Sequence, residues 1–110
     1  MSRQVLPWQS LGIAGFSLLL PAVVNAGSCN FIQENMFAGP YEVCAMPVDK
    51  ARCKQFGDEG SNTGTKYSDA ECRAEKALGR CVLDEHTIIY YSGEPRDLEM
   101  GCSFQGGEWT

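Results

Sequence analysis

The sequence predicts a small α+β domain held together by disulfides, built from two related units in which short strands or a hairpin precede a short helix. Three observations lead to this fold class. The 110 residues include six cysteines, β-prone and helix-prone segments alternate, and short motifs around the cysteines recur in one order. A domain this short buries a smaller fraction of its surface on folding than a larger one does, so covalent cross-links are its usual means of stabilisation.

The first 26 residues have the features of a secretory signal peptide. Arg3 provides a positive start, the stretch LGIAGFSLLLPAVV is uncharged, and small residues stand at the third-last and last positions, Val24 and Ala26. An uncleaved anchor is the alternative, but prolines and polar residues interrupt the roughly 20 apolar residues that a spanning helix needs. Cleavage after Ala26 leaves a single disulfide-stabilised domain, residues 27–110.

Cys29 has two possible roles. It follows Gly27 and Ser28, as a lipid-modified cysteine can, but Ala26 stands where a lipoprotein signal favours leucine. Lipidation would also leave five other cysteines, an odd number for an oxidising compartment. We therefore expect Cys29 to form a disulfide in a secreted or periplasmic protein, with a membrane-anchored lipoprotein as the alternative.

All six cysteines are predicted to form disulfides: Cys29, Cys44, Cys53, Cys72, Cys81 and Cys102. The closest two are nine positions apart, so the C-x2-4-C pairs of zinc sites and the C-x-x-C motif of dithiol oxidoreductases do not occur. We expect neither a metal nor a cofactor.

Residues 27–64 and 79–110 are predicted to be related half-repeats. The triplet Gly-Ser-Cys that ends at Cys29 matches Gly-Arg-Cys ending at Cys81. Cys53 and Cys102 are each followed by glycine four residues later and by glutamate two further on. The stretch GDEGSNTGT, from 57 to 65, is predicted to be a flexible loop that leaves the first unit.

The second unit is predicted to contain a hairpin and a helix. Two β-prone runs, Cys81 to Leu83 and Thr87 to Tyr91, flank a polar turn. Pro95 then suits the first turn of a helix that ends at Gly106-Gly107, with Leu98 and Cys102 on its buried face.

A further helix is predicted over SDAECRAEKALG, residues 68–79. Ser68 and Glu71 match a capping box and Gly79 is a stop signal. An apolar stripe would lie on one side: Ala70, Ala74, Ala77 and Leu78. Cys72 falls on the opposite side of such a helix, and we expect it to reach toward the first unit.

These elements predict the disulfide pairing among 15 possible connectivities. Cys81–Cys102 is expected because the helix lies on the hairpin, the repeat then suggests Cys29–Cys53, and Cys44–Cys72 is left to join the halves. A pairing of Cys44 with Cys53 and of Cys72 with Cys81 would contradict the repeat.

Residues 44–110 resemble a loose group of short, cysteine-rich bacterial proteins with signal or lipoprotein-type N-termini. The C-x8-C step from Cys72 to Cys81, IIYY, Cys102 and the closing GGEW match the group's pattern of G-x-C, Tyr-Tyr, Cys and Gly-Gly-x-Trp. The first half matches it only in outline. The resemblance implies an exported, disulfide-rich protein and no particular chemistry.

Candidate catalytic and metal sites are few. His86 lies in the predicted turn and could act as a general base with Asp84 or Glu85, although a lone turn histidine is usually solvated. No catalytic residue is assigned. A second acidic group lacks the EF-hand spacing and is interpreted as a solvated loop: Asp58, Glu59 and Asn62.

Aromatic residues are the predicted binding site. Tyr90 and Tyr91 are adjacent on a strand, so their rings point to opposite faces, and we expect one in the core and the other exposed. With Trp109, and Tyr41 or Phe37, the exposed ring would form a binding patch. The alternative is that Trp109 and one tyrosine belong to the core.

The formal net charge of −5 opposes binding to nucleic acid or anionic lipid. The predicted function is therefore an exported, non-catalytic binding module for a protein or cell-surface partner, with membrane contact only if Cys29 is lipidated. Two alternatives remain: a small secreted enzyme built on Asp84, Glu85 and Glu94, or an inhibitor or toxin that acts on an extracytoplasmic enzyme.

Overall fold

A computed structural model describes residues 26–34, 39–60 and 62–110. Residues 1–25 of the predicted signal peptide and Phe37 lie outside these described residues.

The described chain forms a six-stranded antiparallel sheet and two helices. In chain order the elements are β1 (Gly27–Gln33), β2 (Tyr41–Val48), α1 (Lys50–Asp58), β3 (Thr63–Ser68), β4 (Gly79–Val82), β5 (Thr87–Tyr90), α2 (Pro95–Phe104) and β6 (Glu108–Trp109). The strand order in the sheet is β3-β1-β2-β5-β4-β6. The predicted α+β class is confirmed.

The sheet consists of two units with the same ββαβ order. In each unit the first strand pairs with the second and with the third, and β2 pairs with β5 to join the units. Ala45 pairs with Cys29 and Ile88 pairs with Cys81, so Ala45 and Ile88 are equivalent. They also pair with each other, which places an approximate two-fold axis through this pair.

Both helices pack on one face of the sheet and complete the larger part of the core. Its buried members are Cys29, Phe31, Val43, Ala45, Val48, Cys53, Phe56, Cys81, Ile88, Tyr90, Leu98 and Cys102. On the opposite face, residues 69–78, which we call the covering segment, lie over a smaller cluster made of Cys44, Cys72, Ile89 and Tyr91.

Each helix begins where its local sequence favours a start. At α1 the Asp49 carboxylate accepts a hydrogen bond of 2.8 Å from the Arg52 backbone N–H, which satisfies one of the free amides of the first turn. At α2, Pro95 occupies the first turn. The chain leaves α2 through Gly106, whose φ of +84° favours glycine. The predicted second-unit hairpin and helix are confirmed.

The disulfides are Cys29–Cys53, Cys44–Cys72 and Cys81–Cys102, which agrees with the predicted pairing. The first and third join the first strand of a unit to the helix of the same unit. The second attaches the covering segment to β2. Because the sulfur of Cys29 is bonded to Cys53, it cannot carry a lipid thioether at the same time.

The prediction of a helix over residues 68–79 is wrong. Ser68 ends β3, Gly79 begins β4, and the covering segment between them is irregular, with Lys76 at φ +66°. The four residues of its apolar stripe are all exposed, and three of them are alanines, which have little apolar surface to bury.

Hydrogen bonds to the sheet replace helical ones in this segment. The Ser28 hydroxyl donates to the Ala70 carbonyl at 2.7 Å, and the Leu78 N–H donates to the Tyr90 carbonyl at 2.8 Å. The predicted loop over 57–65 is also corrected, since α1 extends to Asp58 and β3 begins at Thr63.

Candidate functional site

Neither Tyr90 nor Tyr91 provides the exposed ring expected for the aromatic patch, because both are buried, with 3% and 9% of their surface exposed; Phe37 lies outside the described residues. They point to opposite faces, as expected, but both faces are covered. The Tyr90 hydroxyl donates to Gln33 Oε1 at 2.9 Å. Trp109 is partly buried and packs against Tyr90, with the ring centroids 5.8 Å apart. All three predicted binding residues therefore contribute to the core.

Tyr91 holds the covering segment on the sheet. Its hydroxyl donates to the Arg73 carbonyl at 2.8 Å, and the Arg73 guanidinium lies 3.8 Å above the centre of its ring. Arg73 also forms an ion pair of 3.1 Å with Glu42. A phenol is protonated at neutral pH, and burial raises the pKa of Tyr91 further, so the hydroxyl remains a donor.

His86 lies against the first unit. Its ring contacts the Phe56 ring edge-on, with 5.3 Å between centroids, and burial together with the nearby Arg52 lowers its pKa. Within the described residues, no hydrogen bond or ion pair joins its ring to Asp84 or Glu85. The arrangement therefore packs the two units together and does not place a carboxylate to assist a general base.

The side chains at the end of α1 that could have formed a cation site have other partners. Asp58 lies 3.8 Å from Lys54, Glu59 forms a 3.0 Å ion pair with Arg52, and the Asn62 amide donates to the Phe56 carbonyl at 3.1 Å. No group of three or more possible metal ligands occurs in the described part of the chain. This turn therefore ends α1 and does not assemble a cation site.

The exposed side of α2 is apolar at two positions. Met100 has 54% of its surface exposed and Phe104 has 84%, and they are one turn apart, so their side chains are neighbours. Leu98 and Cys102, on the opposite side of the helix, are buried. We call the pair Met100 and Phe104 the α2 ridge.

Sequence reasoning missed the α2 ridge, although a signal was present. Apolar residues occupy 98, 100, 102 and 104, and a spacing of two residues places apolar groups on both sides of a helix. Only one side can pack on the sheet.

The scaffold under the α2 ridge is covalently fixed. Cys102 is bonded to Cys81 in β4, and the Gly107 N–H donates to the Cys102 carbonyl at 2.9 Å as the chain turns into β6. An interaction through the ridge would therefore order little additional backbone.

No family model, curated protein or solved structure matches this chain. No helix in the described residues combines the length and apolar character needed to cross a membrane.

The first unit provides an internal comparison for the α2 ridge. When Cys53 is aligned with Cys102, the positions equivalent to Met100 and Phe104 are Ala51 and Gln55, which are exposed on α1. The two helices occupy equivalent places in equivalent units, so the scaffold does not require apolar residues at these positions. The apolar ridge is specific to the second unit.

Two open clefts lack the features of a ligand site. One, of about 350 Å³, is lined by Ala26, Gly27, Met46, Pro47, Glu71, Arg80 and Thr87. The other, of about 220 Å³, is lined by Lys50, Cys53, Lys54, Thr65 and Tyr67. Neither contains a combination of groups that indicates one class of ligand.

Proposed function

We propose that this chain is an exported, non-catalytic binding module that holds a partner protein against the α2 ridge. The observation that carries the proposal is the 84% exposure of Phe104 on a helix fixed by a disulfide. Exposed aromatic side chains on rigid supports are typical of the energetic centres of protein interfaces.

Export is supported by the disulfides. Three disulfide bonds in a chain of 110 residues are characteristic of proteins that function in an oxidising, extracytoplasmic environment. Disulfides also keep a binding surface folded where no chaperone maintains it.

The proposal is tested by exchanging the α2 ridge for the residues of the first unit. Immobilised wild-type protein and the variant M100A/F104Q are incubated with the same native extracytoplasmic extract. We expect the wild type to retain a discrete protein that the variant does not retain. Because both side chains are exposed, the free energy of unfolding should change by no more than about 0.5 kcal/mol.

Retention of the same proteins by both forms would contradict the proposal. The enzyme alternative is tested separately with generic peptide, glycan and ester substrates. If the wild type turns over one of them and the H86A variant does not, an enzymatic function replaces the binding function. An inhibitor of an extracytoplasmic enzyme is a special case of the proposed function, in which the retained protein is that enzyme.

A further inference from the structure

We infer that the partner held by the α2 ridge is a protein whose surface carries lysine or arginine side chains around an apolar pocket. This inference rests on the proposed function and names the chemistry of the partner. Met100 and Phe104 would enter the pocket, and the carboxylates of the same helix would face the surrounding cations.

The apolar part of the inference follows from the geometry of the ridge. Phe104 and Met100 are the two most exposed large hydrophobic side chains of the described residues. Aromatic residues and methionine are enriched in the buried centres of interfaces. Two such side chains one turn apart form a raised surface, which requires a concave apolar surface on the partner.

The charged part follows from carboxylates that have no cation of their own. Asp97 and Glu99 lie on α2, and Glu94 occupies its N-cap without a side-chain capping hydrogen bond. None of the ion pairs between described residues involves these three carboxylates. Arg96 is the single basic residue of the helix. The surface beside the ridge is therefore negative and unneutralised.

The same charge distribution disfavours two other occupants. Residues 79–110 contain two basic and six acidic side chains, a formal charge of −4, so a second copy docked face to face would bring like charges together. An anionic membrane would be repelled for the same reason.

Head-to-tail docking on α1 is also disfavoured. The helix α1 carries three basic residues and one acidic residue, which would attract α2 electrostatically. Its positions equivalent to the ridge are Ala51 and Gln55, however, and they are exposed and form no pocket. The open cleft of about 220 Å³ that Lys50 and Lys54 line beside them is the one place where a second copy could dock, and the sedimentation measurement below tests it. An electropositive partner of different sequence satisfies both the charge and the shape of α2.

The test uses a defined probe, a phage-displayed library of disulfide-cyclised 12-residue peptides, which can present a concave surface, selected on the immobilised wild-type protein at low salt. We expect the enriched peptides to be net positive and to contain aromatic or aliphatic residues. For a synthetic peptide of that type, M100A/F104Q should weaken binding about 30-fold or more. D97N/E99Q should lower the association rate about 3- to 10-fold at low salt, and this effect should disappear near about 0.5 M NaCl.

The matched control is Q55A on α1, which should leave binding unchanged. Enrichment of acidic or uncharged peptides, or no effect of D97N/E99Q, would overturn the inference and leave the binding role of the ridge intact. If M100A/F104Q retains the peptides with unchanged affinity, the proposed function fails as well.

Two further measurements identify the other occupants. A wild-type dimer in sedimentation equilibrium that M100A/F104Q abolishes would show that a second copy covers the ridge. Co-sedimentation of the wild type with phosphatidylcholine/phosphatidylglycerol vesicles, lost in the same variant, would show that a membrane covers it. Either result would overturn the inference.

Discussion

Gly27 and Gly79 occupy the first position of the first strand in each unit. A Cβ on Gly79 would collide with the Trp109 ring, with Cε2 only 2.7 Å away, and a Cβ on Gly27 would collide with the Ser68 carbonyl oxygen. In both cases the last residue of the third strand of the same unit lies too close to the glycine to leave room for a side chain. The glycine of each G-x-C motif is therefore required by strand packing.

We predict that Gly79→Ala lowers the free energy of unfolding by about 1–3 kcal/mol, because the added methyl group must displace the Trp109 ring. The control is Gly101→Ala on α2, where the added Cβ has no neighbour within 4 Å apart from the adjacent residues and the backbone of the helix itself. This control should stabilise the protein by about 0.5–1 kcal/mol through helix propensity. Urea unfolding with intact disulfides measures both, and equal midpoints for Gly79→Ala and wild type would contradict the packing argument.

His86 links folding stability to pH. Burial against Phe56, and secondarily the positive charge of Arg52, lowers its pKa in the folded protein, and Glu85 and Glu59 oppose the shift only in part. The unfolded chain, with the ordinary histidine pKa of about 6.5, therefore binds a proton more readily than the folded protein does. Stability is retained above this pH and is lost as pH falls through it.

We accordingly predict that lowering the pH from about 7.5 to 5.5 reduces the melting temperature of the wild type more than that of His86→Phe, which keeps an aromatic ring against Phe56 but cannot bind a proton. Calorimetry at constant ionic strength measures the difference. Parallel pH profiles for the two proteins would show that His86 does not contribute to this dependence.

At the scale of elements, the covering segment is attached to the sheet less firmly than the two helices are. It contributes no helix or strand, and its Cys72 is the most exposed of the six cysteines, at 9% against 0–3% for the others. The other two disulfides lie under the helices, within the larger part of the core.

We predict that limiting amounts of a phosphine reductant cleave Cys44–Cys72 before the other two bonds, because reduction requires access to a sulfur atom. Alkylation of the released thiols followed by peptide mass spectrometry identifies the bond. First release of Cys29–Cys53 or Cys81–Cys102 would show that the helices open more readily than the covering segment.

At the scale of the whole molecule, the two units share one sheet and one core. Their strands pair through β2 and β5, the larger part of the core draws residues from both, and Phe56 of the first unit contacts His86 of the second. Neither unit completes its core without the other.

We predict that full reduction unfolds the protein at 25 °C without denaturant. Each bridge contributes about 3 kcal/mol in the chain-entropy model, and three together match the 5–15 kcal/mol that stabilises a typical domain. Near-ultraviolet circular dichroism after reduction and alkylation measures the loss of packing. A native spectrum in the reduced protein would show that the core suffices without the disulfides.

Local sequence patterns predicted the elements that depend mainly on neighbouring residues. The hairpin after Cys81 and the helix from Pro95 form as expected, since a β-prone pair of runs and an N-terminal proline act on neighbouring residues. The repeated cysteine motifs predicted the disulfide pairing, because equivalent cysteines occupy equivalent places in two copies of one unit. These inferences needed no knowledge of distant contacts.

Only the tertiary structure decided what is exposed. Ser68, predicted to cap a helix, ends a strand. The predicted helix had little apolar surface to bury, and hydrogen bonds to the sheet form in its place. The tertiary structure placed Tyr90 and Tyr91 both in the core, since the covering segment closes the second face. It also left Met100 and Phe104 on the surface, because a helix with apolar residues on two sides can bury only one of them, and the sheet determines which.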